Sequence, residues 1–235
     1  MRRVLDAFFN PHAFRHSLPD VWAGFQINIK LMVVAEILVL VLALAIAIVR
    51  GLPGRPAGPL RALAVVYTDF FRGTPLIIVA FMIGLGVPGL RIHTISYQSN
   101  FVYGVTALTL VYTAYVTEVY RAGIESVHGS QRMAARSLGL SYGQAMRYVV
   151  LPQAVRRVVP PLLNDFVGLQ KDTAIIGTIG VIEAQQQAQN FASSFFNFTG
   201  YLVAAVFFIF MTIPLARFTD HLVSQRERRE RALAV

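Results

Sequence analysis

From residue 31 onward, long apolar runs alternate with short polar connections. Residues 31–49 contain a single charge, Glu36, and residues 101–117 and 191–216 contain none. About 20 apolar residues in a helix cross the roughly 30 Å hydrocarbon core of a bilayer, so each run is close to or beyond the length of a span. The pattern therefore predicts membrane-spanning helices at these three places.

Two further segments predict spans less directly. Residues 61–90 are largely apolar but are interrupted by Asp69 and Arg72, and residues 158–182 contain charged residues and a proline pair. We count 158–182 as a span because the connections on its two sides differ in basic charge. Prolines inside such helices, at 75, 160 and 161, are expected to bend or interrupt them and to free backbone groups toward a cavity.

The composition supports a chain that is largely covered by lipid. Of its 235 residues, 55% are hydrophobic and only 14% are charged, whereas soluble domains usually carry about 25% charged residues. The net charge of +9 does not indicate nucleic-acid binding, because the basic residues form no stripe with interleaved aromatics. Cysteine is absent, which excludes disulfides and thiolate metal sites. The opening residues do not have the pattern of a cleaved signal peptide.

The arginines predict the orientation of the chain in the membrane. They cluster in alternate connections, after the first, third and fifth apolar segments (Arg50, Arg55, Arg61; Arg121, Arg132, Arg136, Arg147, Arg156, Arg157; Arg217, Arg226, Arg228, Arg229, Arg231). Basic connections lie in the cytoplasm, so the pattern predicts five spans, an external N-terminus and a cytoplasmic C-terminus. Arg2, Arg3 and Arg15 would then lie outside, against the rule.

The third connection contains the stretch SQRMAARSLGLSYGQAMRYVVLPQA, from residue 130 to residue 154. Residues 131–138 favour a helix that Gly139 would end in a left-handed conformation. Ser141 and Gln144 match a capping box that would start a second helix, and Pro152 would mark its turn toward the membrane. The small side chains of Ala134 and Ala135 would let another backbone or side chain approach this helix closely. A basic amphipathic helix on lipid headgroups is the alternative interpretation.

The spacing within this stretch resembles a known signature. Ala134, Ala135, Gly139, Val149, Leu151 and Pro152 stand in the register of the cytoplasmic loop by which bacterial ABC importer permeases dock on their ATPase subunits. Four more motifs, spread along the chain after residue 20, are similar to those of the polar amino acid branch (Arg72-Gly73-Thr74-Pro75, Tyr115-x2-Glu118-x2-Arg121, Leu151-Pro152-Gln153-Ala154, Lys171-Asp172-Thr173). Two positions depart from the family, Met133 for the usual glutamate and Val79 for a common glutamine.

The resemblance implies an all-α integral membrane protein of the bacterial plasma membrane. Residues 1–235 would form one permease domain of five transmembrane helices, with a coupling loop at about 126–152 and a basic cytoplasmic tail at about 217–235. It implies two ATP-binding subunits that hold ATP and Mg, a second permease (the same chain or a paralogue) and an extracytoplasmic solute-binding protein. The chain itself would bind no cofactor or metal. The residues implied to couple to the ATPase are Gln131, Met133, Ala134, Ala135, Gly139, Leu151 and Pro152.

Polar residues within the apolar segments are candidates for the substrate path. An ionisable group in a span costs about 2.5–3.5 kcal/mol on insertion scales, so it usually faces a partner or a watery cavity. The candidates are Asp69, Thr74, Tyr115, Glu118, Lys171 and Asp172. Local ion pairs, Asp69 with Arg72 and Glu118 with Arg121, are the alternative for the acidic members. Asp165 and Asp172 share a helix face with Gly168, which is as consistent with helix packing or gating as with ligand contact.

Three functions are compatible with a membrane protein of this size. The leading hypothesis is an importer permease for a polar or charged amino acid, or a similar small solute, whose energy comes from partner subunits. The sequence has neither a phosphate-binding Gly-x4-Gly-Lys-Ser/Thr loop nor a His-Glu-x2-His motif, so it offers no catalytic chemistry for an intramembrane enzyme. A secondary transporter that needs no ATP is a poorer fit, because no internal repeat is evident.

Asp69 and Glu118 are compatible with a cationic amino acid as the substrate, or with ion pairs to arginine.

Overall fold

The computed structural model describes residues 2–52, 54 and 56–233, so Arg55 of the first basic connection lies outside it, as do the last two residues of the predicted tail. Every regular element in these residues is helical. The α-helices are α1 (Arg2–Phe8), α2 (Pro11–Arg50), α3 (Gly58–Gly73), α4 (Leu76–Phe81), α5 (Val87–Gly89), α6 (Asn100–Glu125), α7 (Gly129–Ser137), α8 (Tyr142–Ala145), α9 (Leu151–Asp172), α10 (Ala184–Phe195) and α11 (Thr199–Leu233). π-Helical turns join α4 to α5 and α8 to α9, and a 3-10 segment, Thr173–Ile179, follows α9.

Helix α2 is the longest element, with 40 residues. Its N-terminus is capped by Asn10, whose Oδ1 accepts hydrogen bonds from the backbone N–H groups of His12 (2.9 Å) and Ala13 (3.1 Å). At 1.5 Å per residue the helix is about 60 Å long, roughly twice the hydrocarbon core. Its fully buried residues recur every four positions, at Leu31, Ala35, Val39 and Ala43, which is the spacing of one helix face toward the core.

Helix α6 lies at the centre and packs against both α2 and α9. Two of its glycines allow this close approach. A Cβ at Gly104 would overlap Ile176 of the 3-10 segment, and a Cβ at Gly123 would overlap Val158 of α9. Leu108, Val116 and Ala114 are at most 1% exposed. The apolar core therefore forms around α6, and the neighbouring helices enclose it.

Three helical stretches in the described residues are long and apolar enough to cross a membrane: Arg3–Arg50, Asn100–Glu125 and Thr199–Gln225. A fourth candidate is the pair Gly58–Gly73 and Leu76–Gly89, which is bent by 105° at the Pro75 break. The interruption predicted at Pro75 is therefore confirmed. Length and composition support an all-helical membrane fold with three or four candidate spans, fewer than the five predicted.

One predicted helix boundary is wrong, and one of the two effects predicted for a proline pair does not occur. Residues 191–216 are not one helix, because α10 ends at Phe195 and Phe196 takes a left-handed conformation with φ 51°. Helix α11 starts only at Thr199, whose N–H donates to Asn197 Oδ1 (2.9 Å). Pro160 and Pro161 do not interrupt their helix, since both lie inside the continuous α9. The break after α9 comes later, at Gly180 with φ 88°.

A buried polar cluster joins α2 to the segments after α9. The Asn28 amide donates to Thr173 Oγ1 (3.0 Å) and Glu183 Oε2 (3.0 Å), and its Oδ1 accepts from the Ala184 N–H (3.0 Å). Glu183 is 0% exposed and caps α10, accepting from the N–H groups of Gln185 (2.9 Å) and Gln186 (2.8 Å). This Asn28–Glu183 cluster fixes three chain segments relative to one another.

Candidate functional site

The loop after α6 begins with α7, which ends where the sequence predicted. Gly139 has φ +87°, which confirms its left-handed conformation at the end of that helix. The capping box is also confirmed: the Ser141 N–H donates to Gln144 Oε1 (2.8 Å), and the Gln144 N–H donates to Ser141 Oγ (3.3 Å). Pro152 does not end the second helix, because α8 continues through the π-helical Met146–Val150 segment into α9. Pro152 therefore lies within a continuous helix, directly after the π-helical turn, although it has no N–H to donate to the preceding turn.

The two alanines of this loop differ in burial. Ala135 is only 5% exposed, because α7 packs against the π-helical segment, whereas Ala134 is exposed. The close approach predicted at this alanine pair is therefore made within the chain at Ala135, whereas Ala134 stays open to a partner. Two large apolar side chains are among the exposed residues of the loop, Met133 (66% exposed) and Leu138 (83% exposed). Further exposed members of this loop surface are Gln131, Tyr142, Tyr148, Leu151 and Pro152.

An ion-pair network joins the ends of α2 and α6. Arg50 pairs with Glu118 and also donates to Thr68 Oγ1 of α3 (3.2 Å). Arg121 pairs with Glu118 (Nη2 to Oε2, 2.8 Å), as one of the two interpretations of that motif predicted, and also with Glu125. Both oxygens of Glu118 are engaged, so its charge is neutralised within the chain. A local pair between Asp69 and Arg72 does not occur among the residues the structure describes.

A cavity of about 530 Å³ opens between α6, α9 and the end of α3. Two predicted path residues, Tyr115 and Glu118, line it together with Arg72, and the Tyr115 hydroxyl lies 3.4 Å from the Arg72 carbonyl oxygen that it donates to. Its far wall is formed by Arg157 and Asp165 of α9. The wall therefore carries two arginines besides carboxylates, in a space large enough for a small zwitterion.

Asp165 is one of the cavity residues that the sequence did not predict as part of the substrate path. Its Oδ2 is buried and has no hydrogen-bond partner among the described residues. A buried polar atom without a partner costs about 1–3 kcal/mol, so such a group usually has a function or a ligand. In the sequence, the only sign of a role for Asp165 was its place on the same helix face as Asp172. That placement is as consistent with helix packing as with ligand contact.

The other path candidates do not line this cavity. Thr74 donates to the Phe70 carbonyl oxygen (2.8 Å), and Asp172 accepts from the Tyr112 hydroxyl (2.8 Å). Asp69 and Lys171 are exposed. The six predicted residues thus do not form one site in this structure.

Within residues 2–52, 54 and 56–233, no group of three or more histidine, aspartate or glutamate side chains is placed to hold a metal ion.

Residues 43–228 match the family described as the binding-protein-dependent transport system inner membrane component. The chain belongs to this family. It is therefore a membrane component of such a transport system, in agreement with the resemblance seen in the motif of residues 134–152. The matched range contains the cavity and the loop surface.

Several relatives of the chain are permease proteins of amino acid transport systems by name. The probable glutamine ABC transporter permease GlnM of Bacillus subtilis is 36% identical over 72% of this chain and 77% of its own length. The arginine transport system permease ArtQ of Bacillus subtilis is 30% identical over 89% of this chain and 93% of its own. The glutamate/aspartate import permease GltJ of Escherichia coli is 34% identical over 72% of this chain and 71% of its own length.

Two solved structures share the fold of the permease. A chain from the crystal structure of an amino acid ABC transporter with histidines superposes with a TM-score of 0.79 and 32% identity, over 90% of this chain and 94% of the other. A chain of the inward-facing MetNI methionine ABC transporter superposes with a TM-score of 0.70 and 17% identity, over 87% of this chain and 95% of the other. The second likeness shows a common fold only.

Proposed function

We propose that this chain is the permease subunit of an ATP-binding cassette importer that moves a polar or charged amino acid across the bacterial plasma membrane. The observation that carries the proposal is the superposition over 90% of the chain, at 32% identity, with an amino acid ABC transporter. The subunit does no chemistry itself. Two ATP-binding subunits would hold ATP and Mg, a second permease would complete the path, and an extracytoplasmic binding protein would deliver the substrate.

The loop surface is proposed to be the contact with the ATP-binding subunits. Support comes from the exposure of Met133 and Leu138, because apolar side chains on a polar loop usually mark a protein interface. The left-handed turn at Gly139 sets the angle between α7 and the helix that continues into α9. A movement of α7 would therefore be transmitted directly to the cavity wall at Arg157 and Asp165.

The proposed topology has five spans and an external N-terminus. The spans would be α2, the bent pair of α3 with α4 and α5, then α6, α9 and α11. Helix α9 carries more charge than a lipid-exposed helix tolerates, but its Arg157 and Asp165 face the cavity rather than lipid. The basic connections at Arg50–Arg61 and around α7 would then both be cytoplasmic.

The cavity is proposed to accept the backbone groups of the amino acid. Arg72 and Arg157 are placed to attract a carboxylate, and Asp165 offers an unsatisfied carboxylate to an ammonium group. Glu118 is not proposed as a ligand because two arginines already neutralise it. This arrangement suits a zwitterion, and therefore selects amino acids as a class rather than one side chain.

The test is reconstitution of the permease with its ATP-binding subunits in liposomes. Uptake of a radiolabelled amino acid should require ATP on the cytoplasmic side and should persist when the proton and sodium gradients are collapsed. Uptake that continues without the ATP-binding subunits and stops with the gradients would show a secondary transporter instead. ATP-driven uptake of a solute without an amino group would refute the assignment of the substrate class.

A further inference from the structure

The N-terminal segment is docked against the start of α11 rather than trailing from α2. The Phe198 N–H donates to the Ala7 carbonyl oxygen (2.8 Å), and the Asn197 amide donates to the Asp6 carbonyl oxygen (2.7 Å). The rings of Phe8 and Phe198 stack with centroids 5.4 Å apart. These contacts join residues about 190 positions apart in sequence, so α1 is held by tertiary structure.

Two cavities adjoin each other at this place, and Asn10 and Arg15 line both. The first, of about 540 Å³, lies between the start of α2 and α10, and includes His12, His16 and Asn197. The second, of about 470 Å³, lies between residues 8–15, where α1 ends and α2 begins, and α11. Its walls are otherwise almost entirely apolar, including Phe8, Phe14, Leu202, Val206 and Ile209.

The lining of the first cavity carries positive charge and no negative charge. Arg15 makes no ion pair and no hydrogen bond through its side chain among the described residues, and no carboxylate lines either cavity. Besides Arg15, the hydrogen-bonding groups of this cavity are two histidines and two asparagine amides. A cationic, donor-rich cavity that opens into an apolar groove is complementary to a molecule with an anionic head and a hydrocarbon tail.

The surroundings favour a lipid over a water-soluble partner. Phe9 is 63% exposed, and Val4 (58%) and Leu5 (51%) are exposed beside Arg3 on the same short helix. Exposed apolar side chains next to arginine are the signature of a segment in the membrane interface. The groove follows α11 from Thr199 to Ile209, ten residues or about 15 Å, which is half of the roughly 30 Å hydrocarbon core.

We propose that the N-terminal segment binds an anionic phospholipid, with its phosphate at Arg15 and one acyl chain in the groove against α11. This inference goes beyond the transport function and requires only that the chain lie in a bilayer. It also gives a reason for Arg15, which contradicts the orientation rule if the N-terminus is external. The position of the arginine would then be set by a bound lipid.

The test measures the phospholipid that stays with the purified permease complex. The complex is solubilised from membranes containing phosphatidylglycerol and phosphatidylethanolamine, and retained lipid is quantified by mass spectrometry per mole of permease. Arg15→Gln should lower retained phosphatidylglycerol about five-fold, since a basic residue near anionic headgroups contributes about 1 kcal/mol. Arg3→Gln is the matched control, because Arg3 is exposed on the same segment but lines neither cavity.

A second variant tests the hydrocarbon half of the site. Val206→Trp should fill the groove from an exposed position, 51% exposed, and should expel phosphatidylglycerol without disturbing the core. Equal retention in wild type and Arg15→Gln, or equal losses in Arg15→Gln and Arg3→Gln, would overturn the proposal. Unchanged retention in Val206→Trp would also overturn it, leaving only a headgroup or phosphate contact. If Arg15→Gln instead weakens stimulation by the solute-binding protein while lipid is retained, the cavity is a protein-docking surface.

Discussion

Replacement of Gly139 by valine tests whether the turn after α7 sets the geometry of the loop surface. Gly139 has φ +87°, and a Cβ built there would meet no atom within 4 Å. A steric clash is therefore absent, and the cost lies in the backbone alone. A residue with a side chain loses about 1–2 kcal/mol in the left-handed conformation, and a β-branched one loses at least as much.

The magnitude translates into a change in affinity. A cost of about 1–2 kcal/mol reduces the population of the native turn by a factor of roughly 5–30 relative to glycine. If only the native turn binds the ATP-binding subunit, the apparent affinity should fall by up to the same factor. The permease itself should still insert and remain folded, because the turn is exposed and lies outside the core around α6.

The assay is copurification of the tagged permease with a titrated ATP-binding subunit, together with substrate-stimulated ATP hydrolysis. Gly139→Asn is the control for size and polarity, since asparagine tolerates the left-handed conformation. Gly143→Val adds the same side chain at a helical glycine nearby, where a Cβ also meets nothing within 4 Å. Wild-type affinity and ATP hydrolysis in Gly139→Val would refute the coupling role of this turn.

Three further predictions follow from burial and orientation. Ala135→Glu should destabilise the loop, since Ala135 is 5% exposed, whereas Ala134→Glu should leave thermal unfolding unchanged but abolish copurification of the ATP-binding subunit. In a chain that has no native cysteine, an impermeant thiol reagent should label Asn190→Cys from outside intact cells and should not label Ser130→Cys. Asp165→Asn should lower uptake at least ten-fold in proteoliposomes, while raising or preserving the melting temperature, because a neutral amide costs less to bury than a carboxylate whose Oδ2 has no partner.

Each of these predictions has a clear contrary result. Equal melting temperatures for the Ala134 and Ala135 variants would show that α7 is not packed as described. Labelling of Ser130→Cys alone would reverse the topology. A large fall in melting temperature for Asp165→Asn, with uptake reduced only in proportion to the folded protein, would assign Asp165 to packing.

Local features of this chain were predictable from sequence, and features that depend on distant partners were not. The turn at Gly139, the capping box at Ser141 and the break at Pro75 each follow from residues within four positions of one another. The sequence pattern also predicted an all-helical membrane protein, because lipid exposure leaves a strong compositional signal. The boundaries within 191–216 were missed because Asn197 and Phe196 break an otherwise uncharged run through backbone conformation.

The candidate site illustrates the same limit. Glu118 has an arginine three residues away, but its second partner, Arg50, is 68 positions away and decides that the carboxylate is neutralised. Burial of Ala135 depends on the π-helical segment that packs against α7. Asp165 stood out only when the cavity showed that its Oδ2 lacks a partner.

The Asn28–Glu183 cluster has a mechanical consequence for the transport cycle. Its hydrogen bonds connect positions 145 to 156 residues apart, and its carboxylate is fully buried. Moving α2 away would take the Asn28 donor from this buried carboxylate and would also break the bonds of Asn28 to Thr173 and Ala184, so α2, the 3-10 segment and α10 should travel as one rigid body. Relative motion must then be accommodated elsewhere, and the 105° break between Gly73 and Leu76 lies outside these three segments and next to the cavity residue Arg72. Opening and closing of the path would therefore pivot at Pro75.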